Sequence, residues 1–257
     1  SDEVGANIIN AFLHETMHTM GFLSMIDFTT LKQRDGASRL YDDYVKIEPN
    51  GDANFTGPNT KMIFGGQVPM LPYSKGEGSA FNHFIFDPKI GLNLDVMNPS
   101  INPLVLKLTD LDFAVLRDIG YTVNKNLVSA DGHTFIPQLG TTTVTGTASA
   151  DNLYLNGQRS NFSIKLIDGA YVVSDKNTPT NIDTLKSIEN VKFNDVQVDL
   201  TVSQKAKLID QKSLDSLVEL YVAYFNRVPD GPGMSYWIEQ KLNGRSVLDI
   251  SQNFYEA

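Results

Sequence analysis

The sequence predicts an α+β protein in three parts, and three observations carry that prediction. Apolar residues recur at helical spacing near the start of the chain. A stretch over residues 140–200, dense in Thr, Val, Asn and Asp, alternates apolar and polar residues at period two. Beyond Thr201 the helical period returns. Composition shifts near residue 124 and again after residue 200, which divides the 257 residues into 1–123, 124–200 and 201–257.

The first helix is expected over residues 4–24. Ile8, Phe12, Leu13 and Met17 form its apolar recurrence, and Gly21 is placed to end it in a left-handed turn. From residue 26 to 106 the chain is rich in Gly, Pro and Asn with only short apolar runs, so long ordered loops are expected there. A second helix is expected over 109–119. Thr109 can cap it, Asp112 completes a capping box three residues on, and Gly120 supplies the stop.

Within 140–200, Phe162, Ile164 and Leu166 alternate as a strand does, and so do Val196, Val198 and Leu200. In the last part, Leu214, Leu217, Val218, Tyr221, Val222 and Phe225 make an apolar stripe. The run Pro229-Asp230-Gly231-Pro232-Gly233 interrupts it. A further helix carries Trp237, the one Trp of the chain, and a last helix starts near Ser246.

Bulk composition narrows the function. A hydrophobic fraction of 41% suits a folded chain, and no run approaches the roughly 18 apolar residues of a membrane span. A net charge of -9 argues against nucleic acid, whose phosphates need clustered Lys and Arg. There is no Cys, so any zinc must rest on His and carboxylate ligands. The chain opens at Ser1 without a visible signal peptide and is expected to be part of a longer polypeptide.

Chemistry concentrates at His14-Glu15-Thr16-Met17-His18, an H-E-x-x-H pattern. Residues four apart on a helix lie roughly 40° apart around its axis, so the two imidazoles point to one side and can share a metal. Glu15 projects beside them, where it can accept a proton from an attacking water. The plainer alternative is two helix histidines without a joint role, which is an uncommon coincidence in a chain with 4 His.

A catalytic zinc needs a third protein ligand and an open position. His83 is the leading candidate because it lies in the loop-rich region. Asp27 and Asp87 are carboxylate alternatives, and His133 lies beyond the composition shift. His83 can also be read as a side chain packed among Phe81, Phe84 and Phe86. Met97, in Asp95-Val96-Met97-Asn98-Pro99, can form an apolar floor beneath a metal or serve as an ordinary core Met.

Together these residues resemble the metzincin group of zinc proteases. His14, Glu15, His18 and Gly21 match that group's zinc helix, and Met97 matches its Met-turn. Ser24 stands where many members place a third His, so the resemblance is to leishmanolysin-like secreted bacterial proteases, with His83 as the displaced ligand. The stretch from Leu94 to Pro99 and that from Leu108 to Tyr121 are similar to secreted bacterial members.

The resemblance implies a zincin-like (metzincin) catalytic domain over 1–123, a Zn2+ cofactor, a protein or peptide substrate, and a secreted or cell-surface location. Thirteen residues precede His14, so most of the family's N-terminal sheet is missing, and weak cleavage despite zinc binding is expected. Residues 144–153 resemble an edge of calcium-binding RTX repeats, and 157–191 a β module that accompanies them. This implies possible Ca2+ binding and a type I secretion apparatus as partner, although no full glycine-rich repeat is present. Residues 220–237 resemble a small helical domain found at the C-termini of secreted bacterial proteins. The competing functional reading is a secreted adhesin with a structural or vestigial zinc site.

Overall fold

The computed structural model describes residues 2–27, 30–32, 34, 39–72, 80–92, 95–100, 104–105 and 107–256. Among them the protein is mixed α+β, with seven α-helices and three sheets. Two compact units divide the chain, Ser1–Thr142 and Thr143–Ala257.

The first unit opens with α1 (Asp2–Thr19). Its end comes earlier than the sequence pattern suggests. Gly21 takes φ 105°, its N–H donates to the His18 carbonyl at 3.1 Å, and the Phe22 N–H donates to the Met17 carbonyl at 3.0 Å. This is a Schellman closure, and a Cβ at that φ would be strained. Half of the expected apolar recurrence of this helix turns outward. Ile8 and Phe12 are 63% and 70% exposed, whereas Asn10 and Met17 are buried beside the half-buried Leu13 and His14. The inward face is the one that carries the histidines.

Residues 26–106 contain more regular structure than their composition suggests. The strands β1 (Val45–Ile47), β2 (Ala53–Phe55) and β3 (Val68–Met70) form an antiparallel sheet in that order. The seven-residue α2 (Pro58–Phe64) lies between the last two strands. Elements of three and seven residues are too short to show a period, and Pro58 at the first turn of α2 reads as a breaker although that position tolerates it.

Then comes α3 (Asp110–Asp118), with the expected capping box between Thr109 and Asp112 and with Gly120 at φ 99° past its end. The hairpin of β4 (Leu127–Val128) and β5 (Thr134–Ile136) follows. Arg117 ties this region to α3, donating to the carbonyls of Val123, Lys125 and Pro137. The unit therefore runs beyond residue 124. Its core is aromatic: Phe22 meets Tyr41 at 5.0 Å and Phe84 at 5.1 Å between ring centroids, and Tyr41 meets Phe55 at 5.0 Å.

After β6 (Thr141–Thr145) and β7 (Asn152–Tyr154), the second unit continues with β8 (Phe162–Ile167), β9 (Ala170–Asp175) and β10 (Ile182–Lys186). These last three pair antiparallel. Asp168 and Gly169, both at positive φ, make the tight turn between β8 and β9. Then β11 (Asn190–Lys192) pairs parallel with β7 and antiparallel with β12 (Gln197–Asp199). The strand expected through Val196, Val198 and Leu200 is thus shorter than its alternation.

Helices close the unit: α4 (Val202–Lys205), α5 (Gln211–Phe225), α6 (Gly231–Leu242) and α7 (Val247–Glu256). Leu217, Tyr221, Met234, Ile238, Ile250 and Phe254 form their shared core. Val222 and Phe225, expected in the buried stripe, are 49% and 40% exposed. The Pro229–Gly233 run both interrupts and restarts helix, because Asp230 caps α6 by accepting the Gly233 N–H at 2.8 Å. No helix among the described residues is long and apolar enough to cross a membrane.

One carboxylate joins α2 to α3. Asp118 Oδ1 accepts the Asn59 N–H (2.9 Å) and side-chain amide (2.8 Å), and Oδ2 accepts the Thr60 N–H (2.9 Å) and hydroxyl (2.6 Å). Replacement by Ala leaves four buried donors at the start of α2 without an acceptor. Asp118→Ala is expected to destabilise the protein by about 3 kcal/mol, read as an earlier urea midpoint with an unchanged slope.

Candidate metal centre

Three imidazoles from two parts of the first unit meet at one point. His14 and His18 come from successive turns of α1, and His83 from the segment after β3. The His14 Nε2 lies 3.1 Å from the His18 Nε2 and 3.1 Å from the His83 Nε2. All the ligand atoms of the three lie within 4.8 Å of one another, and this is the sole grouping of three or more His, Cys, Asp or Glu among the described residues. His83, the leading candidate from the sequence, is the third member of this cluster. Asp27, Asp87 and His133 stay outside it. Asp27 accepts the Thr30 N–H, and Asp87 caps the short 3-10 turn Pro88–Ile90.

The other ring nitrogens explain the convergence. The His14 Nδ1 lies 2.8 Å from the Val96 carbonyl, and the His18 Nδ1 lies 2.7 Å from the Phe22 carbonyl. A carbonyl only accepts, so each Nδ1 carries the proton and each Nε2 presents a lone pair. Lone pairs that face one another at 3.1 Å repel unless a Lewis acid or a proton lies between them. Tetrahedral zinc with nitrogens about 2.0–2.1 Å away places those nitrogens about 3.3 Å apart, close to the observed spacing. The donor set therefore fits zinc.

Each histidine is held by a local device. The Gly21 closure turns the chain back so that the Phe22 carbonyl reaches His18, two residues before Ser24. The Ser24 N–H donates to the Asn82 Oδ1 at 2.6 Å, tying the exit of α1 to the residue before His83. His83 is buried, with its carbonyl accepting the Leu71 N–H at 2.9 Å. Phe81 takes φ 61°, and the Tyr41 hydroxyl donates to its carbonyl at 3.1 Å.

The 95–98 turn holds both sides of the cluster. Val96 supplies the carbonyl for His14, and the Met97 carbonyl accepts the Phe84 N–H at 3.0 Å, one residue past His83. Met97 is fully buried. Leu94, which opens the sequence stretch around this turn, lies outside the described residues. Glu15 is exposed on α1, between the two helix histidines in sequence.

Sequence reasoning missed the two carbonyls and the Asn82 side chain. A backbone carbonyl has no sequence identity, and the only available signals were Gly21 for one and the neighbouring Met97 for the other. The acidic residues of 143–200 form no group of three or more metal-ligating side chains among the described residues.

The geometry leads to a direct expectation. The purified chain holds about one zinc after dialysis, and His83→Ala weakens zinc binding at least ~100-fold in a competition titration with a chromophoric chelator. Retention of tight binding by that variant contradicts a three-histidine site. Compared with models of known protein families and with curated protein sequences, the chain matches none.

Proposed function

We propose that the chain is a zinc-dependent endopeptidase of metzincin type, with His14, His18 and His83 holding the metal and Glu15 as general base. One observation carries the reading: three Nε2 atoms converge beside the helix that also carries Glu15. His14 and His18 are half-buried and His83 is buried, so part of each helix histidine is open to solvent. A fully enclosed structural site has no use for that opening.

Bound zinc lowers the pKa of a water to about 7 and polarises a carbonyl oxygen. The residues of the chain do the rest. Val96 and Phe22 keep both helix imidazoles in the tautomer that binds metal. Glu15, one residue from His14 and three from His18, accepts the proton of the attacking water and delivers it to the leaving amine. The secreted or cell-surface location implied by the resemblance belongs to the same proposal.

Glu15→Gln keeps the shape of the side chain and removes the base. It is expected to retain zinc at the parent level while lowering hydrolysis of casein or a quenched fluorescent peptide at least ~100-fold. Unchanged hydrolysis in that variant overturns the assignment of Glu15.

A further inference from the structure

Behind the turn that orients His14 stands a buried carboxyl that the proposed reaction does not use. Asp95 is 4% exposed, and its Oδ1 accepts the Met97 N–H at 2.8 Å. The Asn98 N–H closes the turn on the Asp95 carbonyl at 3.3 Å. Asp95 and Thr109 line one cavity of about 220 Å3, together with Ile63, Leu92 and Leu111. Thr109 in turn reaches the fully buried Asp112: the Asp112 Oδ2 accepts the Thr109 N–H at 2.7 Å and its hydroxyl at 2.8 Å.

The other Asp112 oxygen, Oδ1, is buried and has no donor. A buried carboxylate oxygen without a donor is strongly unfavourable. The charged groups at this end of α3 do not supply one. Asp110 is committed to Lys125 and to the Val128 N–H, and Lys107 stands beside Lys125 as a second cation. Asp95 remains, and its own surroundings favour the neutral acid. Burial, then the charge of Asp112, hold the Asp95 carboxyl well above the usual carboxylate range, while burial raises Asp112 to about 6. Two ionised carboxylates out of water repel, and one proton between them relieves both.

We infer that the Asp95 carboxyl donates a hydrogen bond to the Asp112 Oδ1, and that this pair positions the Val96 carbonyl against His14. Asp95 is a positioning residue: one oxygen shapes the 95–98 turn and the other anchors that turn to the capped start of α3. Its consequence for zinc rests on the metal-centre reading, but the pair itself does not.

The test compares the parent with Asp95→Asn and Asp95→Ala in the full chain. Asn keeps an acceptor for the Met97 N–H and offers a permanent N–H donor to Asp112, so it imitates the protonated acid. Zinc affinity in Asp95→Asn is expected within about threefold of the parent, whereas Asp95→Ala is weakened at least ~10-fold.

A second readout uses chelated, metal-free protein. A carboxyl raised in the folded state contributes stability that is full below the ordinary value of about 3.9 and is lost as pH rises through the folded value. The parent melting temperature is therefore expected to fall more steeply than that of Asp95→Asn between about pH 5 and 8. Both proteins carry the same histidines, so the comparison isolates position 95. If Asp95→Ala fails to fold, the Asn variant and the pH slope still decide the matter. Equal slopes, or an Asn variant that loses zinc affinity tenfold or more, overturn the pair. Absence of zinc in the parent refutes the metal-centre reading instead, and the metal-free slope still tests Asp95.

Discussion

The orientation of two imidazoles by backbone carbonyls is the constraint on which the rest of the first unit depends. An imidazole can present either nitrogen to a metal, and a proton held on Nδ1 leaves Nε2 as the ligand. Here the Val96 carbonyl, 82 residues from His14 in sequence, settles one ring, and the Phe22 carbonyl settles the other. Both carbonyls need an irregular backbone. The first comes from a four-residue turn closed by Asp95, and the second from a glycine in the left-handed region. The short elements over 39–72 contribute Tyr41 and Phe55, which pack with Phe22 and Phe84 in one buried aromatic cluster.

His83 shows how little regular structure is needed to place a ligand. No helix or long strand carries it. It sits in a segment paired with the end of β3, pinned by bonds from Leu71, Tyr41, Ser24 and the Met97 turn around it. These contacts come from four different stretches of chain. That network exchanges the local stiffness of a helix for long-range closure, and it couples the third histidine of the cluster to the exit of α1.

The legible and illegible features separate along physical lines. The helix α1, its glycine stop and the capping box at Thr109 depend on neighbours within five residues, so the sequence shows them directly. The choice of His83 also emerges, because few histidines compete. The buried face of α1 does not. Of the expected recurrence, Ile8 and Phe12 face outward, while Leu13 and Met17 share the inward face with Asn10 and His14. Hydrophobic periodicity reports a possible core face and misleads where polar ligands occupy the real one. The β1–β3 sheet and α2 were hidden by their brevity. The carbonyls that orient the site, and the Asp118 carboxylate that caps α2 from 58 residues away, involve contacts that no local pattern encodes.

The central claim is that three Nε2 atoms share one metal. X-ray absorption at the zinc edge of the loaded protein tests it most directly. The account predicts three imidazole nitrogens about 2.0 Å from the zinc, with outer-ring scattering characteristic of histidine and one further light oxygen or nitrogen ligand. A shell with two or fewer imidazoles, completed by carboxylate oxygens, would contradict it and dissolve the site built on His83.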